Sequence, residues 1–263
     1  MKKYFYIYQA EFMSALQYVG DLLFNSFGYF ILIFIFFHLW NYVYDNPEEL
    51  INGYSKSQMI WYVIVTEILW KIFAGRQLCL KICGEVKGGN IAYNMNKPYS
   101  YIGYTLSSHL GEGTMKAIIY MIIGLLLGIA FLGKLPNITI VSYLIVMISG
   151  VLAVTINTLF VIFIGLLSFY MEDSNPIFWL YSKLILIVGT VFPIEFFPGV
   201  LQHVFAYSPV YAICYGPAKL FVDFSWNNAA CVITSQILYL LVAYVMCAAL
   251  YKKGVRKLNV NGG

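Results

Sequence analysis

The sequence predicts an all-α polytopic membrane protein: six transmembrane helices, an N-terminal amphipathic interfacial helix, and an outer re-entrant helical segment before the last span. Three observations predict it. Of 263 residues, 61% are hydrophobic and 11% charged, with a mean hydropathy of +0.76. Soluble domains carry about 25% charged residues, so this chain has too few polar side chains to coat a water-facing globule, and its apolar surface must meet lipid. Second, six apolar stretches approach the roughly 20 residues that cross a ~30 Å hydrocarbon core as a helix. Third, lysine and arginine are unevenly shared among the connections.

The stretches run over about 22–44, 57–75, 114–133, 138–170, 176–192 and 227–251. The fourth is long enough to tilt or project from the membrane. The fifth is short and opens on Ser174-Asn175-Pro176, a capping residue followed by a first-turn proline. Residues 1–20 differ. Phe5, Tyr8, Phe12, Leu16 and Val19 recur at helical spacing, with Lys2, Lys3, Gln9, Glu11 and Gln17 opposite, and Gly20-Asp21 is expected to break the run. That pattern predicts a helix lying in the interface. Met1-Lys2-Lys3 is not read as a signal peptide, because no apolar core and small-residue cleavage site follow directly.

Of the 16 Lys and Arg residues, 13 fall in one set of connections, and only Lys56, Lys134 and Lys219 fall in the other. The positive-inside rule makes the first set cytoplasmic. Both termini then lie inside, which an even number of spans requires. The length allows one membrane domain, residues 1–263, without a soluble catalytic domain beside it.

Two connections exceed a tether. Residues 76–113, on the cytoplasmic side, contain Gly84-Glu85-Val86-Lys87-Gly88-Gly89, then Ile91, Tyr93 and Met95, then Lys97-Pro98. The glycine pair breaks the chain and Pro98 stops any following helix. The interval fits one short helix, whose apolar side chains are expected to face the cytoplasm as a docking element; lying flat on lipid headgroups is the alternative. Residues 189–226, on the outer side, hold Pro193, Pro198, Pro209 and Pro217 between apolar residues, with Glu195 among them. Irregular backbone at membrane depth must be covered by protein or line a cavity, so short helices dipping into the outer leaflet as a structured cap are expected; a surface loop rich in membrane-anchoring aromatics is the alternative.

Candidate chemistry is sparse. Gly128-x4-Gly133-Lys134-Leu135 approaches a phosphate-binding loop, but Leu135 has no hydroxyl for magnesium, and the stretch ends a spanning helix rather than joining strand to helix. Cys79, Cys83, Cys214, Cys231 and Cys247 are too scattered for a disulfide framework and form no metal-binding pattern. Glu67 is the clearest ionisable residue within a span, read either as a local ion pair with Lys71 or as part of a substrate or proton path. Thr155, Asn157 and Thr158 give the fourth span a polar girdle, suited to helix packing or to lining a path. His38, His109 and His203 sit near membrane boundaries and form no cluster.

This arrangement resembles the permease subunit of ABC-2-type ABC exporters, in the subgroup of six-span permeases. Glu85-Val86-Lys87-Gly88-Gly89-Asn90-Ile91-Ala92-Tyr93-Asn94-Met95-Asn96-Lys97-Pro98 is similar to that family's acidic residue, glycine-bearing turn, short apolar segment and closing proline. The run from Gly189 through Phe192-Pro193-Ile194, Phe197-Pro198 and Ser208-Pro209 to Tyr215-Gly216-Pro217 is similar to its proline-marked outer segment. The resemblance implies a prokaryotic cell-membrane exporter subunit that pairs with a second permease, identical or homologous, above two separate ATPase subunits. ATP and magnesium would bind those partners, with no cofactor in this chain and no nucleic-acid partner. Glu85, Lys87, Gly88, Gly89, Ile91, Tyr93, Met95, Lys97 and Pro98 would form the coupling region. Two rival readings stand beside it. One is a lipid-modifying membrane enzyme, with Glu85, His109 and Glu112 as its only loose candidates. The other is a non-transporting scaffold or immunity protein.

Overall fold

The computed structural model describes residues 2–46, 49–73, 75–95, 97–136 and 139–261, with the side chains of Ala92, Met95 and 257–261 outside that description. Helix α1 (Lys2–Leu16) leads through a two-residue turn into α2 (Val19–Val43). A hairpin then pairs Leu50–Ile51 with Tyr54–Ser55. Asn52 and Gly53 carry φ of 51° and 83° at its tip, the left-handed pair that a tight hairpin turn requires. After α3 (Lys56–Phe73) come α4 (Arg76–Lys87), α5 (Asn90–Met95), α6 (Tyr101–Leu132) and α7 (Ile140–Leu166). Helix α8 (Asn175–Ile185) widens into a π-helical turn, Leu186–Val191. Short helices follow, including α9 (Gly199–Ala206), a second π turn (Tyr211–Tyr215) and α10 (Gly216–Val222), before α11 (Trp226–Asn261) closes the chain.

Among the described residues, four helical stretches are long and apolar enough to cross a membrane: Val19–Val43, Tyr101–Leu132, Ile140–Phe169 and Trp226–Arg256. The protein is an all-α multi-pass membrane protein. Helix α3 and the stretch Asn175–Val191 are apolar but shorter or more charged.

Helix α3 is the centre of the bundle. Residues from Met59 to Phe73 are buried on every side of it, the mark of a helix enclosed by protein. Helix α6 approaches α3 through glycines. A Cβ at Gly128 would lie 2.1 Å from the Trp61 ring, and one at Gly124 would lie 2.6 Å from the Tyr29 hydroxyl. Small residues at these crossings let backbones approach closely in lipid. Gly133 ends α6 at φ 73°, its N–H bonded to the Ile129 carbonyl. The last glycine of the loop-like motif is therefore a helix cap.

Three boundaries differ from the sequence expectation. Helix α6 begins at Tyr101 rather than near residue 114, capped by the Ser100 hydroxyl. Hydropathy registers only the lipid-crossing part of a helix, and the earlier turns of α6 are polar because α1 covers them. Much of the expected connection 76–113 is consequently helical. Helix α4 was not foreseen as an element; Leu78, Cys79, Ile82, Cys83 and Val86 form its buried stripe. The break after α1 falls at Gln17-Tyr18, so Gly20-Asp21 lies inside α2.

Helix α1 lies lengthwise along the start of α6. Tyr8 Oη donates to Thr114 Oγ1 (3.1 Å), Ser108 Oγ donates to Glu11 Oε1 (2.8 Å), the Ser100 N–H donates to Tyr4 Oη (3.0 Å), and Lys3 donates to the Pro98 carbonyl. Tyr4, Tyr8, Phe12 and Ala15 therefore turn toward α6, while Phe5 and Leu16 of the expected apolar stripe stay exposed. Glu11, read as outward-facing, is instead held by Ser108. A Cβ at Gly111 would lie 2.4 Å from the Tyr8 carbonyl oxygen, so α1 can seat only against glycine there. Gly111→Leu is expected to lift α1 from α6, at a cost of about 1–3 kcal/mol, and to raise hydrogen exchange across residues 2–16. Gly20→Ala, whose added Cβ meets nothing within 4 Å, should leave that protection unchanged.

Candidate functional site

One end of the bundle gathers α1, α4, α5, the start of α6 and the end of α11. There α4 rests on α7 with Ile82 against Gly165, where an added Cβ would lie 2.9 Å from Ile82 Cβ. Gly89, at φ 71°, turns the chain into α5. Glu85 accepts hydrogen bonds from Tyr101 Oη (2.7 Å) and Asn94 Nδ2 (3.5 Å), and the Tyr101 ring stacks on Tyr251 of α11 at 5.4 Å. Glu85 is thus a half-buried tie between α4, α5 and α6.

The expectation that the apolar residues of α5 face outward holds for Tyr93 and fails for Ile91. Ile91 is fully buried against Cys79, Ile82 and Tyr101, because a six-residue helix must anchor one side. Tyr93 is 71% exposed, and Lys97 Nζ lies 4.8 Å from its ring centroid, 5.8 Å from that of Tyr99 and 6.0 Å from that of Tyr104. A hydrogen bond with the Tyr99 hydroxyl holds the Lys97 ammonium above the usual lysine range. Lys87, Gly88 and Gly89 are exposed beside this group, as is Pro98. The Met95 side chain lies outside the described residues. The outward face of the corner is therefore Lys87, Gly88, Gly89 and Tyr93, braced by Lys97.

The in-membrane candidates sit in different surroundings. Glu67 is 1% exposed, its Oε2 has no hydrogen-bond partner, and no ion pair joins it to Lys71 among the described residues. Thr155 is half-buried and bonds back to the Val151 carbonyl, while Thr158 is buried and bonds back to that of Val154. Asn157 Oδ1 accepts from Tyr181 Oη (2.8 Å), joining α7 to α8.

Stronger interhelical ties went unread in the sequence. Tyr62 Oη donates to the Gly189 carbonyl (2.9 Å) and Thr66 Oγ1 to that of Thr190 (2.9 Å), so α3 grips the first π turn. Gln236, fully buried on α11, donates to the Ser149 and Ala212 carbonyls at 2.9 Å each. A glutamine within an apolar span was the available signal.

At the opposite end Glu195 is a hub. Its Oε1 accepts from Tyr54 Oη (3.0 Å) and Tyr215 Oη (2.5 Å), and Lys219 Nζ lies 3.5 Å away. Lys219 also pairs with Asp223 at 3.0 Å and sits 4.3 Å from the Tyr54 ring centroid. Burial, then the neighbouring Tyr215 and Glu195, push the Tyr54 phenol well above its usual range, keeping it a proton donor. Pro193 opens a 3-10 turn (Ile194–Phe196), Pro198 starts α9, and Pro217 occupies the first turn of α10. Pro209 precedes the second π turn. Glu195 thus ties these short helices to the hairpin beside α3.

The model of a family described as an ABC-2 family transporter protein matches residues 30–262. The chain belongs to the ABC-2 transporter family. It is accordingly a membrane permease of the ABC type, a class that works with ABC ATPase partners. Both passages carrying the resemblance fall within the match, whereas α1 and the start of α2 precede it. No curated protein matches the chain.

The hub gives this permease a testable weak point. Tyr54→Phe removes one donor and should cost about 1 kcal/mol. Glu195→Ala removes the shared acceptor and should cost about 2 kcal/mol or more. Thermal unfolding in detergent should rank wild type above Tyr54→Phe and Tyr54→Phe above Glu195→Ala.

Proposed function

We propose that this ABC-2 permease is one half of an ATP-driven exporter in a prokaryotic cell membrane. It pairs with a second permease, identical or homologous, and couples to two separate ATPase subunits. Residues 189–226 cap the outer side and dip into the outer leaflet, six spans cross the membrane, and both termini lie in the cytoplasm. The asymmetry of Lys and Arg supports this orientation, since Lys87 and Lys97 then share a face with both termini.

The observation that carries the reading is the corner at α4 and α5. A short helix with one exposed aromatic residue, a basic neighbour and a rigid mounting suits a groove in a partner. Tyr93 supplies apolar area, and Lys87 orients the encounter more than it strengthens it. The mounting lets a push on the corner travel as a rigid body. Helix α4 bears on α7 at Gly165, and Glu85 ties it to Tyr101 at the head of α6. ATPase closure would then bias the helices toward whichever arrangement the closed ATPase binds better.

Tyr93→Ala is expected to leave the permease inserted and dimeric. The same change should lower ATPase co-purification, or permease-stimulated ATP turnover in proteoliposomes, several-fold. Lys87→Ala should have a smaller effect that fades at high salt. Wild-type co-purification and turnover in Tyr93→Ala would move the docking site elsewhere, with α1 the next surface to test.

A further inference from the structure

A cavity of about 510 Å³ opens where α3 gives way to α4, walled by α6, α7 and α8. Lys71, Arg76 and Lys116 line it, and no acidic residue does among the described residues. Lys116 is partly neutralised by Glu112 at 2.6 Å. Lys71 and Arg76 have no ion-pair partner among the described residues. The first residues of α4 also line the cavity, and Gly75 offers that helix no side-chain cap. The N–H groups of a helix's first turn carry partial positive charge and bind anions. Asn157 adds a side-chain amide to the lining, its oxygen accepting from Tyr181 Oη. The rest of the wall is apolar, from Trp70, Phe73, Val161, Phe178 and Ile185.

We infer that this cavity binds the anionic head of an amphiphile, a phosphate-bearing headgroup whose acyl chains leave along the apolar wall. Three cations and an uncapped helix start attract negative charge, and aromatic and aliphatic side chains beside them favour an attached hydrocarbon over a free inorganic ion. Basic pockets between transmembrane helices on the cytoplasmic side are suited to anionic headgroups. The inference takes its leaflet from the orientation proposed above, but binding itself needs neither that orientation nor an ATPase.

Trp70 supplies the reporter, read as the difference in emission between wild type and Trp70→Phe. The purified chain is placed in phosphatidylcholine vesicles containing a small fraction of chain-brominated phosphatidylglycerol, or of chain-brominated phosphatidylcholine as the neutral arm. Trp70 emission should be quenched at a several-fold lower mole fraction of the anionic lipid. Arg76→Gln with Lys116→Gln should abolish that preference, while Arg76→Lys with Lys116→Arg should retain it. Millimolar inorganic phosphate should leave the anionic quenching unchanged. Equal quenching by both lipids in wild type would overturn the inference, as would an undiminished preference in the glutamine variant. Displacement of the lipid by inorganic phosphate would also overturn it, identifying a free-anion site. Because both arms use the chain alone, a negative result here is distinct from a failure of ATPase coupling.

Discussion

The burial of α3 on all its sides is the constraint on which the rest of this structure depends. In lipid, apolar area alone does not draw helices together; close packing and interhelical hydrogen bonds do. Both converge on α3. Gly124 and Gly128 let α6 lie against Tyr29, Ile68 and Trp61. Tyr62 and Thr66 spend their hydroxyls on carbonyls of the π turn after α8. A π turn misaligns carbonyls relative to the ordinary helical ladder, and side chains of α3 take up two of them. The second π turn packs on the first at Gly189, where a Cβ would lie 2.6 Å from that of Cys214. One central helix thus holds the two irregular segments that an unaided membrane helix could not tolerate.

The two ends of the bundle solve different problems with the same chemistry. At the α4–α5 corner, Glu85 gathers Tyr101 and Asn94 and stiffens a surface that remains open at Tyr93. At the opposite end, Glu195 gathers Tyr54, Tyr215 and Lys219 and closes a run of proline-started turns over α3. Glu85 accepts from one tyrosine hydroxyl and Glu195 from two, and such hydroxyls donate while their rings remain compatible with apolar packing.

Composition and hydropathy were enough to read the membrane class and the approximate helices, because lipid imposes a long apolar run on any span. They could not place the start of α6, since its first turns meet α1 rather than lipid. The hairpin at 50–55 carried a legible Asn52-Gly53 signal that the search for spans passed over. At the candidate site, the glycine pair and Pro98 bounded α5 correctly, but six residues hold too little periodicity to say which side is buried. Ile91 and Tyr93, two residues apart, consequently face opposite ways. Glu195 was unreadable as a hub because its partner Tyr54 lies 141 residues away in the chain. Glu67 was read either as pairing with Lys71 or as part of a path; spacing alone could not decide, and no ion pair joins the two among the described residues.

The central claim is that an ATPase docks on the α4–α5 corner. Cysteine cross-linking tests it most directly: Tyr93→Cys and, separately, Lys134→Cys, each in a chain with Cys231 replaced by serine and joined to its ATPase in membranes. The account predicts a disulfide or short-linker adduct to the ATPase from position 93, with a yield that changes when ATP is added, and none from position 134. An adduct from position 134, or none from position 93 in a complex that still hydrolyses ATP, would contradict it.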